Sequence, residues 1–358
     1  TVEIMPIADF KGRWNWGYDG ASLFAPDSSY GTPEDFKAFI NAAHGKGISV
    51  VLDVVYNHFG PKGNNLEKIA PLYSGVETPW GPALNLDGEE AGPIRDLIFS
   101  NTRYWLHEYH LDGLRYDALH EMYDEGPRHI LLELAEHTRA STDGGHIHLI
   151  AENSLNQAGW LKRRVTGLPW LFDAQWSDDI HHALHALITR ERVWYYADFD
   201  KRIDLVGRAL AEGTAWQGEY MEHEKRHKGE PSNFLPATAF VAFMQNHDQI
   251  GNRPHGERIS TMIPPEALRM WSAIVLLSPH VPLVFMGEDW AASTPFLFFS
   301  DVGEDLAQAI RDSRREELSR YPDAQLEDLP DPMSIESFRR SKLRWEEAHK
   351  DGHAEVLE

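Results

Sequence analysis

Residues 32–58, TPEDFKAFINAAHGKGISVVLDVVYNH, contain one complete helix-to-strand step. Thr32 is a good N-cap, Pro33 suits a first helical turn, and Glu34 and Asp35 place acids where the helix dipole favours them. Phe36, Phe39, Ile40 and Ala43 recur at helical spacing and predict an apolar face, and Gly45 and Gly47 stop the helix. Ile48 to Val55 follows as a buried strand, apolar on both faces as in a parallel sheet covered by helices on each side.

Outward from this step the same alternation continues. Pro93 to Tyr109 predicts a second helix with Ile94, Leu97, Ile98 and Trp105 on its apolar face, and the Asp112-Gly113 turn leads into a strand ending near Asp117. Further strands are expected at His148 to Glu152, Phe172 to Trp176, Thr238 to Asn246 and Pro282 to Met286. With Val2 to Met5 the reading gives seven strands. Strands alternating with helices argue for βα units and an α/β fold, the (β/α)8 TIM barrel, with strands 2 to 8 in residues 1–300. Residues 301–358 are expected to hold a helix at about Glu304 to Ser319 and then a polar tail. The Gly- and Pro-rich stretch at about 59–92 reads as a long irregular excursion, and loops of that length are usually functional. Eight strands close such a barrel, so the first βα unit is missing from the pattern and two strand edges lack partners; a fragment of a longer protein is expected.

Composition narrows the function. The 358 residues carry 56 Asp and Glu against 34 Lys and Arg, a formal net charge of -22, which disfavours nucleic acid and suits a neutral substrate. The absence of cysteine excludes disulfides, thiolate metal sites and a cysteine nucleophile. The apolar run Trp271 to Met286 is interrupted by Ser278, Pro279, His280 and Pro282, so no membrane span is expected, and the reading is of a cytoplasmic protein.

In a parallel barrel, functional groups gather at the carboxyl ends of strands. Tyr56, Asn57 and His58 follow one strand; Arg115, Asp117 and then His120 end the next; Glu152 ends another; His247 and Asp248 end a fourth. A single charge at a strand end is usually solvated or salt-bridged. Three carboxylates, three histidines and an arginine ending different strands of one barrel exceed what structure alone needs.

These residues resemble, in order, the four sequence regions of the α-amylase family of glycoside hydrolases: Asp53-Val-Val-Tyr-Asn-His58, Gly113-Leu-Arg-Tyr-Asp-Ala-Leu-His120, Ala151-Glu152-Asn153 and Gln245-Asn-His-Asp248. The resemblance implies that Asp117 is the nucleophile, Glu152 the general acid/base and Asp248 the carboxylate gripping the substrate sugar. Arg115, His58 and His247 would orient sugar and nucleophile, with Asp53 and Asn57 bracing the loop and His120 beside them. Retaining cleavage needs such a pair of carboxyl groups about 5 to 5.5 Å apart. Arg115, two residues before Asp117 on one strand face, should keep the nucleophile ionised, while Glu152 must remain protonated. The family's proteins also carry an N-terminal β-sandwich, a complete barrel and a C-terminal β domain, which have no counterpart in this sequence.

Aromatics fit a sugar substrate, whose C–H faces are apolar. Trp14, Trp16, Tyr18, Phe59, Trp80, Trp176 and Trp290 lie beside or after the predicted strand ends. The family's tyrosine at the position of Tyr18 stacks on the sugar at the cleavage point, and Trp16 is expected close by. Trp80 and Trp290 are as readily core residues. Asp178, Asp179, His181, His182 and His185 share a predicted helix; His181 and His185 are four apart, but the resemblance implies no metal and no cofactor. Asp178, Asp179 and His182 are expected to face substrate or cap that helix. Stretches outside the four regions, including Asn15-Trp-Gly-Tyr-Asp-Gly20, Gln175-Trp-Ser-Asp-Asp-Ile-His-His-Ala-Leu-His185 and Phe285-Met-Gly-Glu-Asp-Trp290, point within the family to hydrolysis of the α-1,4 bond beside the terminal trehalose of maltooligosyltrehalose. The alternatives are a glycogen branching or debranching enzyme, or an inactive glucan-binding protein.

Overall fold

A computed structural model describes residues 1–142 and 145–357. The chain divides into two compact units, one of Thr1–Leu155 with Trp160–Gln175 and one of Asn156–Gly159 with Trp176–Glu358.

In the first unit the chain runs through β1 (Val2–Ile4), β2 (Ala8–Phe10), β3 (Gly20–Pro26), α1 (Pro33–His44), β4 (Val50–Val54), β5 (Tyr73–Thr78), β6 (Gly81–Leu84), α2 (Gly92–Glu108), β7 (Gly113–Tyr116), α3 (Ile130–Ala140), β8 (His148–Ala151) and the start of β9 (Ala174–Trp176). Strands β1, β4, β7, β8 and β9 pair in that order, all parallel. Register puts Leu52 opposite Leu114 and Leu114 opposite Leu149. All three are at most 1% exposed. Each contributes about 1.5–3 kcal/mol by leaving water. Gly113 permits the close approach of β7 and β8, since a Cβ there would sit 2.5 Å from the His148 carbonyl oxygen.

Helix α1 starts as its sequence predicts. Thr32 Oγ1 accepts the Asp35 N–H at 3.2 Å, and Asp35 returns the bond to the Thr32 N–H at 2.8 Å, a reciprocal capping box. Ile40 is buried, but Phe39, expected on the same apolar face, is 46% exposed. Residues 59–92 are less irregular than expected, because β5 and β6 pair as an antiparallel hairpin after a single 3-10 turn at Leu66–Lys68. Asn101 on α2 is fully buried among apolar residues. It accepts from Tyr56 Oη at 2.8 Å and Trp105 Nε1 at 3.0 Å and donates to the Leu23 carbonyl at 2.7 Å.

The second unit contains α4 (Asp178–Thr189), α5 (Ile203–Glu212), the short hairpin β10 (Tyr220–Met221) and β11 (Arg226–His227), β12 (Phe240–Phe243), α6 (His247–Gly251), α7 (Ile259–Met262), α8 (Pro265–Leu277), β13 (Val281–Leu283), α9 (Glu304–Leu318) and α10 (Ile335–Arg340). Its core gathers Ile180, Ala209, Ala215, Met221 and Trp271. Gly213 caps α5 at φ +86°, where a Cβ would lie 2.1 Å from the Phe240 ring. Strand β13 pairs in parallel with β12 but stops at Leu283, short of the expected Met286. There the chain turns, with the Glu288 N–H bonded to the Phe285 carbonyl at 2.9 Å and Gly287 at φ +80°.

Helix α9 falls where expected, but the segment after it is more than a polar tail. Glu347, 5% exposed, accepts from Ser293 N–H at 3.1 Å and Ser293 Oγ at 2.6 Å, and Ser341 Oγ accepts from the Leu297 N–H at 2.9 Å. Trp290 packs on Ala348 and meets Trp345 at 5.1 Å. Polar side chains thus fasten this segment. No helix among the described residues is long and apolar enough to cross a membrane.

Candidate active site

Arg115 organises the polar end of the first unit. Its side chain, on β7, is fully buried. Nη1 donates to Asp53 Oδ2 at 2.7 Å and Asp117 Oδ1 at 2.9 Å, and Nη2 donates to Glu152 Oε2 at 2.8 Å. Local structure explains each position. Arg115 and Asp117 are two apart on one strand face, and the sheet register sets Asp53 opposite Arg115. The ladder runs one residue past each strand, with Asp117 N–H bonded to the Val54 carbonyl and Glu152 N–H to that of Tyr116, both at 3.0 Å. Both carboxylates therefore leave the carboxyl ends of neighbouring strands.

Neighbouring groups hold these carboxylates in place. Asn57 Nδ2 donates to Asp117 Oδ2 at 2.9 Å and to its carbonyl at 3.0 Å. His58 Nδ1 contacts Asn57 Oδ1, and His58 Nε2 lies 3.0 Å from the Tyr18 carbonyl. Tyr18 Oη donates to Asp53 Oδ2 at 2.7 Å. Ala118 follows Asp117 at φ +38° and gives its N–H to Glu152 Oε2 at 2.8 Å. A left-handed non-glycine residue costs on the order of 1–3 kcal/mol, so strain sits beside the paired carboxylates.

The electrostatics follow from several acids sharing one buried cation. Burial opposes the Arg115 charge, but Asp53 and Glu152 outweigh it and hold the guanidinium well above its usual range, so it stays charged. Burial pushes the Asp53 carboxyl well up; Arg115 pulls it back, while Asp117 and Glu3 add to the rise. Asp53 Oδ1 is buried without a hydrogen-bond partner, in keeping with that direction. Glu3 on β1 is pushed up to about 7 by burial, against the pull of Arg115. Burial pushes the His58 imidazole down, although Asp19 opposes it, so it serves as a neutral ring.

In the second unit His247 and Asp248 open α6 directly after β12. Asn246 Oδ1 caps the helix by accepting from Asp248 N–H at 2.9 Å and Gln249 N–H at 3.3 Å. His247 is buried, with its ring 6.0 Å from that of Trp176, and the Asp248 side chain is 42% exposed. Asp178 lies in the first turn of α4. Asp179 is fully buried: Oδ1 accepts from Lys228 Nζ at 2.9 Å, and Oδ2 from Asn156 Nδ2 and the Ala215 and Trp216 N–H groups at 2.8 to 3.0 Å. His182 stacks on Tyr195 with ring centres 4.2 Å apart. Burial holds both His181 and His182 well below the usual histidine range. His181 Nε2 meets Tyr196 Oη at 2.9 Å and His185 Nε2 meets Glu191 at 2.6 Å, so the two rings answer to different partners.

Of the residues singled out from sequence, Tyr18, Asp53, Asn57, His58, Arg115, Asp117 and Glu152 form one hydrogen-bonded network in the first unit. His120 Nδ1 accepts the Ser154 N–H at 3.4 Å. Trp16 is nearly buried and Trp290 is core, whereas Trp80 is half exposed between β5 and β6 and lies over the His58 ring at 6.4 Å. Sequence reasoning missed Glu3 and the Ala118 N–H. A glutamate inside an apolar strand was the available signal for the first; a backbone donor leaves none.

Parallel strands carrying these groups at their carboxyl ends define the class: the chain is similar to the α-amylase family, and its fold class is the (β/α)8 barrel. The alpha-amylase catalytic-domain model matches residues 4–70. More particularly, the chain is 41% identical to the malto-oligosyltrehalose trehalohydrolase of Arthrobacter ramosus, over 100% of this chain and 62% of the relative. It is 39% identical to the protein of the same name from Saccharolobus solfataricus, over 96% and 59%. A crystal structure from Salmonella typhimurium, described provisionally as an alpha amylase, superposes with a TM-score of 0.94 at 45% identity, over 99% of this chain and 60% of that one. The chain thus spans about three-fifths of the length of these relatives. A branching enzyme from Nocardia farcinica is more distant, at 25% identity over 81% of this chain.

Proposed function

We propose that this chain carries the retaining glycoside-hydrolase centre of an enzyme that cleaves the α-1,4 bond beside the terminal trehalose of maltooligosyltrehalose and releases trehalose. The observation carrying the proposal is the pair Asp117 and Glu152, at adjacent strand ends and bonded to one buried guanidinium. A retaining pair stands about 5 to 5.5 Å apart, a spacing that one guanidinium can bridge. Asp117 attacks the anomeric carbon as Glu152 gives a proton to the leaving glycosidic oxygen; Glu152 then takes a proton from water, whose oxygen displaces Asp117 from the sugar. Arg115 and Asn57 each hold one Asp117 oxygen, which aims the nucleophile. By the sequence resemblance Asp248 grips sugar hydroxyls, and in the first unit Tyr18 and Trp80 offer aromatic faces to sugar rings. The choice of trehalose-ended substrate rests on the names of the relatives and on the sequence outside the four regions.

Incubation of the protein with maltooligosyltrehalose and with plain maltooligosaccharide, followed by chromatography, tests the reading. Trehalose released preferentially from the first substrate supports it, whereas new α-1,6 links would return the chain to the branching class. Asp117→Asn and Glu152→Gln should each lower kcat by several orders of magnitude and leave glucan binding largely intact. Near-normal turnover in either would sink the assignment.

A further inference from the structure

The opposite end of the same strands carries a second constellation. His148 is the first residue of β8, and Asp173 immediately precedes β9. With His146 they form a group whose ligand-capable atoms all lie within 4.8 Å of one another, the single such group of three among the described residues. We propose that His146, His148 and Asp173 form a site for a divalent transition ion of the zinc class, separate from the glycosidase centre.

Two of the three ligands stand on rigid backbone. The His148 N–H is bonded to the Asp112 carbonyl at 3.0 Å and the Asp173 N–H to that of Leu149 at 2.8 Å. Asp173 is also oriented from behind: Oδ2 accepts from the Leu149 N–H and from Arg139 Nη2, each at 2.9 Å. Its Oδ1 then faces outward, 2.8 Å from His146 Nε2. This is the arrangement in which neighbouring hydrogen bonds fix a ligating carboxylate. The two imidazoles lie 4.8 Å apart at 74°, so both can turn a nitrogen toward one ion while a solvent face remains for water. Two imidazoles and one carboxylate are a donor set for zinc, nickel or copper rather than calcium or magnesium, which prefer oxygen alone. Both histidines are exposed, so an ion can enter without opening the fold.

His148 and Glu152 are four residues apart along one extended strand, about 13 Å at the rise of a parallel strand. An ion at His148 therefore stands clear of the carboxylates held by Arg115 and acts on the fold by joining the starts of β8 and β9. Metal bound to the native state alone raises the unfolding midpoint by mass action.

The test uses the EDTA-treated, dialysed protein titrated with zinc chloride by calorimetry, and with cobalt chloride followed by visible absorption. The expected result is one zinc per chain, a higher unfolding midpoint with zinc but not with calcium, and cobalt bands from imidazole ligation. His146→Ala and His148→Ala should each weaken zinc binding at least about tenfold and abolish the cobalt bands, with basal activity and circular dichroism unchanged. Zinc affinity equal to wild type in both variants, or no binding to wild type at tens of micromolar zinc, would overturn the proposal and leave His146 and Asp173 as an ordinary ion pair.

Discussion

Arg115 is one fully buried cation shared by Asp53, Asp117 and Glu152, whose side chains are 3, 14 and 20% exposed. Removing one partner of a buried ionic network leaves the others uncompensated, which costs about 3–5 kcal/mol. Arg115→Leu should therefore lower the urea unfolding free energy by that amount as well as abolish turnover; an unchanged midpoint would mean that the three acids are neutral or hydrated. Arg115→Lys keeps the charge but loses the planar fork that reaches two sides at once, and should fall between the two. At this scale much of the candidate site was legible in the sequence. Asp117 and Glu152 were legible because each terminates an apolar run. The Asp53–Arg115 bond was not, because it depends on the register between two strands far apart in the chain. Asp179 was misleading for a similar reason. Its place at the start of α4 suggested an acid that faces substrate or caps the helix, yet Lys228 and three N–H donors surround it.

Among the elements, α1 and α5 show how termini decide local structure. Thr32 and Asp35 close a capping box that their spacing alone predicts. Gly213 answers two demands together, a left-handed cap and the nearby Phe240 ring. Gly213→Ala should destabilise the fold by on the order of 2–4 kcal/mol, combining backbone strain with overpacking. A loss below about 0.5 kcal/mol in denaturant melts would show that Phe240 rotates away freely. The same scale shows where periodicity misled. Phe39 fits the apolar spacing of α1 but stands half exposed, and the stretch 59–92 hides a hairpin because its glycines and prolines mask the β pattern.

For the molecule as a whole, two acids and several buried histidines pull the response to pH in opposite directions. Burial raises Glu288 to about 8, against Gln245 and Arg258, and raises Glu3 to about 7. A carboxyl whose folded value lies above its unfolded value near 4.5 contributes stability that is full below pH 4.5 and is lost as pH rises through the folded value. Each of these two carboxyls should therefore subtract stability between about pH 5 and pH 8, by at most about 1.4 kcal/mol per pH unit, while the buried neutral rings of His58, His181 and His182 add stability as pH rises toward 6.5. Glu288→Gln should flatten part of that slope in urea melts at stepped pH; parallel profiles for the two proteins would sink this account. By itself the sequence determined the alternation of strands and helices and the chemical identity of the groups at strand ends, because periodicity, caps and turn residues act over a few neighbours. It also carried the family resemblance, through residues whose types the chemistry demands. Only the tertiary structure decided which acids share Arg115, that Asp179 is enclosed, and that the polar segment after α9 docks through Glu347 and Ser341. Each of these depends on contacts between residues distant in sequence, whose formation rests on register and packing rather than on any local pattern.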